Sequence, residues 1–252
     1  MSADPVIRAS GLFKRFGEHE VLKGLSLDVQ SSTITVILGS SGSGKSVFMK
    51  HLIGLLTPDR GQVLIEGEDL HAASASRRNE IRTSFGMVFQ MAALFDSLTV
   101  FENVAFPLDE HRKSMSRGKR RDKVYEKLEI LGLSDSANKY PAELSGGMRK
   151  RAGLARAVVM DPKFVLYDEP TTGLDPLTTE SVDDMIVEAS EHFGVTSIVI
   201  SHDITSALRI ADAIAFLHEG RIVEEGPPEQ LRTSEHPMVS RFFATWREGL
   251  EA

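Results

Sequence analysis

The phosphate-binding loop pattern G-x-x-x-x-G-K-[ST] is matched at every position by Gly39-Ser40-Ser41-Gly42-Ser43-Gly44-Lys45-Ser46. The loop follows a short β-branched run, Ser32–Leu38, and precedes a helix-compatible segment, Ser46–Leu56. Glycines let backbone N–H groups approach phosphate oxygens, and the following helix points the positive end of its dipole at them. This context favours a phosphate site over a flexible glycine-serine loop.

The last residues of this loop have separate expected tasks. Lys45 is expected to reach the β- and γ-phosphates of a nucleotide, and the Ser46 hydroxyl is expected to ligate Mg²⁺. The backbone from Gly39 to Val47 is expected to hold the phosphate oxygens. The sequence therefore predicts a site for ATP and Mg²⁺.

Two adjacent carboxylates, Asp168 and Glu169, follow a second apolar strand, Phe164–Tyr167. Asp168 is placed to hold Mg²⁺, directly or through water, as phosphate-loop ATPases require. Glu169 is placed to accept a proton from an attacking water. An acidic pair at a strand end is common on protein surfaces, but its occurrence together with the phosphate-binding loop favours a hydrolytic site.

The apolar runs of the sequence alternate with longer helical segments, which indicates an α/β fold with a mainly parallel sheet. Lys163–Tyr167 and Thr196–Ile200 have the size of strands buried on both faces. The first thirty residues are predicted to form an antiparallel layer of short strands, with turns at Phe16-Gly17-Glu18 and Lys23-Gly24.

Residues from about 91 to 160 are predicted to form an inserted helical subdomain, because strand-like runs are lacking there from Phe95 to Met160. Breaks are expected near Gly132 and at Ser145-Gly146-Gly147. The whole chain, residues 1–252, is predicted to be a single domain.

Composition narrows the class of protein. The chain has 252 residues, no cysteine and a net charge of −7, which excludes disulfides and argues against nucleic-acid binding. No apolar run approaches the roughly 18 residues that cross a bilayer. The N-terminus, Met1-Ser2-Ala3-Asp4-Pro5, lacks the apolar segment of a secretory signal. We expect a soluble intracellular protein.

A third motif, Leu144-Ser145-Gly146-Gly147-Met148-Arg149, resembles the signature motif of ATP-binding cassette (ABC) proteins. Further matches follow in the order of that family. Phe16 stands where an aromatic residue stacks on adenine, Gln90 follows the strand Phe85–Phe89, Gly173-Leu174-Asp175 trails Glu169, and His202 follows Ser197–Ser201. The resemblance extends from about Phe16 to Gly226.

The resemblance implies a phosphate-loop NTPase fold, with a RecA-like parallel sheet, and a set of roles. Gln90 and Asp168 would complete the Mg²⁺ shell, while His202 would hydrogen-bond the γ-phosphate near Glu169. Ser145, Gly146 and Gly147 of one subunit would close the site of the other, with Asp175 at the same interface. The implied functional unit is a head-to-tail dimer with a second copy or a paralogue.

Three positions depart from the usual family pattern. Met148 replaces glutamine, Phe16 replaces tyrosine but keeps a stacking face, and Thr171-Thr172-Gly173-Leu174-Asp175 replaces a serine-alanine form. None of these changes removes a catalytic group. We therefore expect an active ATPase.

Two segments, Gly146–Arg151 and Ala93–Leu108, look like those of Mla- and Mce-type lipid transporter ATPases, as does Glu110-His111. That resemblance implies a phospholipid cargo and attachment to permease subunits at the cytoplasmic face of the inner membrane. It also implies a small STAS-domain regulator and a substrate-binding Mce-domain protein. Leu94, Phe95 and Phe101 are predicted to line the permease groove; the alternative is that they pack the helical lobe.

Other functions remain open at this point. Amino-acid, metal and lipoprotein transporters share every catalytic motif, whereas ribosome-acting relatives usually carry two cassettes and DNA-repair relatives carry a long coiled coil. The basic run Arg112–Lys123 is either a solvated face or a surface for anionic lipids or an acidic partner. Met238, Phe242 and Trp246 form an apolar stripe on a predicted C-terminal helix, residues 236–248, which packs on its own domain, on the sister subunit or on a regulator.

Overall fold

The computed structural model describes residues 4–251, with side chains described for residues 4–247. Its strands are Ile7–Phe16 (β1), His19–Val29 (β2), Ile34–Leu38 (β3), Arg60–Ile65 (β4), Glu68–Asp69 (β5), Phe85–Phe89 (β6), Phe164–Asp168 (β7), Thr196–Ser201 (β8), Ala213–His218 (β9) and Arg221–Gly226 (β10). Its α-helices are Lys45–Leu52 (α1), Ala75–Thr83 (α2), Val100–His111 (α3), Arg117–Ile130 (α4), Gly146–Val158 (α5), Pro176–Phe193 (α6), Ile204–Ile210 (α7), Pro228–Arg232 (α8) and Pro237–Glu251 (α9).

The central sheet has the strand order β10-β9-β3-β8-β7-β6. All its pairings are parallel except that of the edge strand β10 with β9. Every residue of β3 and β8 is buried, as expected of apolar strands covered on both faces. Because the carboxyl ends of parallel strands meet at one edge, the loops after β3, β6, β7 and β8 converge there. The predicted α/β core is confirmed.

A second, antiparallel sheet has the order β2-β1-β4-β5 and confirms the predicted N-terminal layer. A tight turn at Gly17-Glu18 joins β1 to β2. The predicted turn at Lys23-Gly24 is wrong, because both residues lie within β2. Gly24 has φ +91° where the pairing with β1 shifts register, and the Phe13 ring lies 3.0 Å from where a Cβ of residue 24 would sit. The glycine therefore marks a bulge in a continuous strand.

The helical lobe contains α3, α4 and α5 around a separate apolar core. Thr99 begins α3 with a capping box, in which its hydroxyl accepts from the Glu102 N–H and the Glu102 carboxylate accepts from the Thr99 N–H. The buried Asn103 side chain holds the preceding loop through the carbonyls of Phe95 and Leu98. Within the described residues, no helix has the length and hydropathy to span a bilayer.

The C-terminal helix α9 packs mainly on its own domain. Val239 and Phe243 are fully buried in the core of the central sheet, and Phe242 and Trp246 cover its rim. The Trp246 indole N–H also donates to the Thr205 hydroxyl at 3.0 Å. Of the alternatives left open by the sequence, packing on the same domain accounts for most of the apolar stripe.

Candidate nucleotide site

A cleft of about 410 Å³ opens at the carboxyl edge of the central sheet, around the N-terminus of α1. The phosphate-binding loop supplies one wall, and the loops after β7 and β8 supply the other. The residues that line the cleft are Val21, Ser41, Gly42, Gly44, Lys45, Ser46, Val47, Glu169, Thr172 and His202. The structure thus brings together most of the residues that the first two motifs predicted.

The N-terminus of α1 has the form of an anion cradle. Gly44 occupies the N-cap position with φ 110° and provides no side-chain hydrogen bond, so the first N–H groups of the helix are left for another acceptor. A Cβ at Gly44 would lie 3.1 Å from the Leu22 side chain. The buried Ser43 hydroxyl also lacks a partner among the described residues. The unpaired N–H groups at the helix start fit the phosphate groups of a nucleotide.

Lys45 carries the positive charge of the site and is almost fully buried, at 6% exposed. Its ammonium donates to the carbonyl oxygens of Gly39 at 2.7 Å and Ser40 at 3.1 Å. It also lies 3.5 Å from a carboxylate oxygen of Glu169. The lysine is therefore held at the cradle by two carbonyl oxygens and a carboxylate.

Glu169 is tied to two neighbours through its second oxygen, Oε2. This atom lies 2.7 Å from the His202 Nδ1 and accepts a hydrogen bond from the Thr172 hydroxyl at 2.9 Å. Glu169 has φ 49°, an uncommon conformation for a residue with a side chain, and functional sites often hold such strain. Sequence reasoning named Glu169 and His202 but missed Thr172, although its position three residues after Glu169 in a turn was a usable signal.

Two of the three predicted Mg²⁺ ligands, Ser46 and Asp168, lie at or beside this cleft. Ser46 lines it, and Asp168 ends β7 immediately before Glu169. Burial raises the pKa of the Asp168 carboxyl above its usual range, and the Glu169 charge adds to the shift, while Lys50 and Lys45 oppose it. A hydroxyl and carboxylate of this kind suit Mg²⁺.

Gln90 and Phe16 lie outside the group of residues that line the cleft. Gln90 is exposed in the turn directly after β6. Phe16 is 46% exposed at the end of β1, with the Lys14 ammonium 5.8 Å from its ring centroid. An exposed aromatic face of this kind is available for stacking against a planar ligand.

The signature motif is also absent from the cleft. The Ser145 hydroxyl accepts from the Met148 N–H at 3.3 Å and so caps α5, while no heavy atom lies within 4 Å of a Cβ built at Gly146 or Gly147. Asp175 likewise caps α6, accepting from the Thr178 N–H at 3.1 Å. Met148, the departure from the family pattern, packs against the core of the helical lobe.

A separate groove of about 680 Å³ lies between the helical lobe and the edge of the central sheet. Its apolar lining includes Phe95 and Phe106, whose ring centroids are 4.8 Å apart. Arg156 stabilises the groove by donating to the carbonyls of Ala92 and Ala93, each at 2.7 Å. Both of these alanines have positive φ, and this Arg156 contact holds their turn in place.

Of the three residues predicted to line a permease groove, only Phe95 lies in this groove. Phe95 is exposed in the groove, but Leu94 and Phe101 pack against the core of the helical lobe instead. Phe101 contacts the Tyr125 ring at 5.6 Å between centroids and the Arg120 guanidinium at 5.6 Å. Phe106, which the sequence analysis did not single out, replaces them in the groove.

A family model described as ABC transporter matches residues 22–172. The "Probable ribonucleotide transport ATP-binding protein mkl" of Mycobacterium leprae is 44% identical over 96% of this chain and 70% of its own length. The "Intermembrane phospholipid transport system ATP-binding protein MlaF" of Haemophilus influenzae is 39% identical over 94% of this chain and 89% of its own. The "Methionine import ATP-binding protein MetN" of Caulobacter vibrioides is 40% identical over 92% and 70%.

Solved structures agree with the sequence relatives. The cassette cbiO1 of Clostridium perfringens, described as part of the ABC transporter complex cbiONQ, superposes with a TM-score of 0.86 at 27% identity, over 99% of this chain and 100% of that one. A dimeric cassette, MJ0796, bound to ADP and Pi, gives 0.76 at 32% identity, over 88% and 98%. The chain belongs to the ABC transporter family and is a Mg²⁺-dependent ATPase of that family.

Proposed function

We propose that this ATPase is the motor subunit of a membrane transporter that moves phospholipid or a similar lipid between bacterial membranes. The observation that carries the motor role is the separation of two phosphate-facing regions in one chain. Lys45, Glu169 and His202 line a cleft, whereas Ser145 and Gly146 stand exposed at another helix. None of the residues that line the cleft comes from α5, so a complete site needs residues from both regions.

The cleft holds the groups that one subunit contributes to ATP hydrolysis. The α1 N-terminus and Lys45 bind and orient the phosphates. Glu169 accepts the proton of the attacking water, and His202, 2.7 Å from it, holds the carboxylate and reaches the γ-phosphate. Mg²⁺, held by Ser46, Asp168 and Gln90, would neutralise the phosphate charge.

A head-to-tail dimer of two copies supplies the missing side. The N-terminus of α5, with its exposed glycines, faces the nucleotide held by the other copy and adds a second helix dipole to the same phosphates. The dimeric state of MJ0796 with ADP and Pi supports this arrangement. Nucleotide binding then closes the dimer, and hydrolysis releases it.

The Phe95–Phe106 groove is the surface that we assign to a permease. Phe95 and Phe106 are 44% and 38% exposed, and they border the turn that follows Gln90. A helix of an integral membrane subunit seated there would transmit dimer closure to the permease. The motor is therefore a peripheral protein on the cytoplasmic face of the inner membrane.

The lipid cargo is supported by the similarity to MlaF, which spans nearly the full length of both proteins. By the same resemblance, a STAS-domain regulator and a substrate-binding Mce-domain protein are proposed as further subunits. The relatives named for methionine and ribonucleotide transport define the competing cargo classes. They share the nucleotide site, since the ATPase does not touch the cargo.

Reconstitution in vesicles tests the cargo. The complex, purified intact from membranes, is assayed with fluorescent phospholipid and, in parallel, with methionine and ribonucleotides. We expect ATP-dependent lipid movement that stops in the Glu169→Gln complex. Transport of a polar solute without lipid movement would contradict the lipid assignment but leave the motor role intact.

Two aromatic variants test the permease groove. Phe106→Asp places a charge in a contact that must be desolvated, so permease co-purification should fail while the soluble ATPase stays folded. Phe101→Asp instead damages the lobe core and should lower the unfolding temperature of the isolated chain. Unchanged permease recovery with Phe106→Asp would exclude the groove as the docking surface.

A further inference from the structure

Five positive side chains surround the end of the helical lobe at which α3 is followed by α4. They are Arg112, Lys113, Arg117, Lys119 and Arg121, and we refer to them as the basic end. All five are exposed, and none forms an ion pair with another residue whose side chain the structure describes. In a chain of net charge −7, this is a local surface of opposite sign.

The remaining two cations of the segment have structural partners. Arg120 pairs with Asp109 at 2.5 Å and lies over the Phe101 ring, and so joins α4 to α3. Lys123 pairs with Asp161 and anchors α4 to the end of α5. Helix α4 also buries Val124 and Leu128 in the apolar core of the lobe, whereas Arg121 contacts only the Tyr125 ring. The basic end is thus not needed to hold α4 in place.

The basic end adjoins the groove that we assign to the permease. His111, the last residue of α3, lines that groove together with Phe106 and Pro107, and Arg112 is the next residue along the chain. A surface continuous with a permease site lies beside the permease and therefore toward the bilayer. The cytoplasmic surface of such a bilayer is negative where anionic lipids are present.

We propose that the basic end binds the anionic headgroups of the membrane that holds the permease. The inference rests on the proposed permease docking, because that docking gives the basic end its position. Headgroups suit the arrangement, since long, exposed side chains on a loop and a helix start form no pocket and no fixed fork for a single ligand. Diffuse attraction to a charged surface needs neither.

The test uses the full chain without any permease and measures its co-sedimentation with vesicles. Phosphatidylcholine vesicles are compared with vesicles in which one third of the lipid is phosphatidylglycerol. Each cation near such a surface contributes about a fivefold gain in affinity, so Arg117→Gln, Lys119→Gln and Arg121→Gln together should weaken binding on the order of 100-fold. Added salt should weaken binding of the parent chain.

A matched control changes the charge by the same amount elsewhere. Arg60, Arg221 and Arg232 are exposed on β4, β10 and α8, and the triple change to glutamine there should leave vesicle binding near the parental level. The proposal is overturned if the two triple variants bind alike, or if neutral vesicles bind as well as anionic ones. Failure of the parent chain to bind vesicles, with capture of an acidic protein instead, would also overturn it.

The outcome is separable from that of the permease proposal. Phe106→Asp should abolish permease recovery yet retain binding to anionic vesicles, because the basic end is intact. The basic-end triple variant should retain ATP hydrolysis in solution, since none of its residues lines the nucleotide cleft.

Discussion

Two helix starts in this chain, at α1 and at α5, are both rich in glycine but differ in their surroundings. At α1, the N-cap is Gly44 without a capping side chain, and a buried lysine and a carboxylate complete a cleft. At α5, the Ser145 hydroxyl caps the helix, and no heavy atom lies within 4 Å of the Cβ positions of the two glycines that follow. Both starts have the dipole that favours an anion.

This difference indicates separate roles for the two helix starts. The α1 start has Lys45, Glu169 and His202 beside it in the same chain, and we propose that it binds and positions the nucleotide. No residue of α5 lines the nucleotide cleft, so in the proposed dimer its dipole would act on the phosphate held by the other subunit. In the proposed head-to-tail dimer the two starts would meet only when two subunits close, and nucleotide binding would drive that closure. Lys150 of α5 also donates to the Pro170 carbonyl beside Glu169, which connects the two regions within one chain.

The largest effects are expected at the α1 side. Lys45→Ala and Glu169→Gln should each lower ATP turnover on the order of 10²-fold or more. Lys45→Ala removes the charge that holds the phosphates, so nucleotide binding is lost as well. Glu169→Gln keeps that charge and should accumulate an ATP-bound dimer, visible by gel filtration with Mg²⁺ and ATP.

A surface change serves as the control for these variants. Lys163→Ala removes an exposed partner of Glu66, far from the cleft lining, and should leave turnover unchanged. Parental turnover in Glu169→Gln would show that another group accepts the proton.

The next effect concerns the α5 side and requires two chains. Ser145→Arg should block the signature helix and stop hydrolysis, although its own cleft is intact. Mixing Ser145→Arg chains with Lys45→Ala chains should restore activity, since each mixed dimer has one site built from two unchanged halves. Because the chain has no cysteine, Ser40→Cys and Ser145→Cys provide a crosslink without background. Disulfides confined to single chains would disprove the head-to-tail dimer.

A smaller effect compares one glycine from each helix start. Gly44 has φ 110° and a crowded Cβ position, so Gly44→Ala should lower the free energy of unfolding by roughly 1–3 kcal/mol. Gly146 is the first residue of α5 and has open space, so Gly146→Ala should leave that free energy unchanged or raise it by about 0.5–1 kcal/mol.

Urea denaturation measures this difference, and ATP turnover gives the second readout. Both alanine variants should have lower turnover. Gly44 lies in the phosphate-binding loop, and the Cβ at residue 146 would face the phosphate of the other subunit. Equal loss of stability in the two variants would mean that α5 is as constrained within the chain as α1.

Much of this division was predictable from the sequence, for a physical reason. The Lys45, Asp168 and His202 motifs each follow a short apolar run, and parallel strands bring their ends to one edge. Side-chain direction within the lobe was not predictable in the same way. Phe101 turns away from the groove because Arg120 and Tyr125, which lie on the next helix, contact its ring. Likewise, the strand through Gly24 depends on its pairing with β1, which local turn chemistry does not show.

The smallest expected effect is the dependence of stability on pH, which should differ between α1 and α5. His51 near the end of α1 is fully buried, with its Nδ1 2.7 Å from the Val47 carbonyl and its Nε2 without a partner among the described residues. The His71 ring lies 6.4 Å away, between centroids. Burial lowers the pKa of both histidines; for His51 Lys14 adds to the shift and Asp59 opposes it. Helix α5 contains neither histidine nor carboxylate.

Each histidine has a lower pKa in the folded chain than in the unfolded chain, so the unfolded chain takes up protons first on acidification. The contribution of these histidines to the free energy of unfolding is therefore fully present above pH 6.5 and falls as the pH drops below it. The α1 side should therefore loosen before α5 on acidification. Amide exchange at pH 5.5 and pH 7.5, each divided by the intrinsic exchange rate at that pH, should show a loss of protection in α1 alone. The double change His51→Asn and His71→Asn removes the titrating rings and should flatten this dependence, while His19→Asn, at an exposed position, should not. If α1 and α5 lost protection from exchange equally in acid, the effect of pH would be on the whole domain, and the two helix starts would open together.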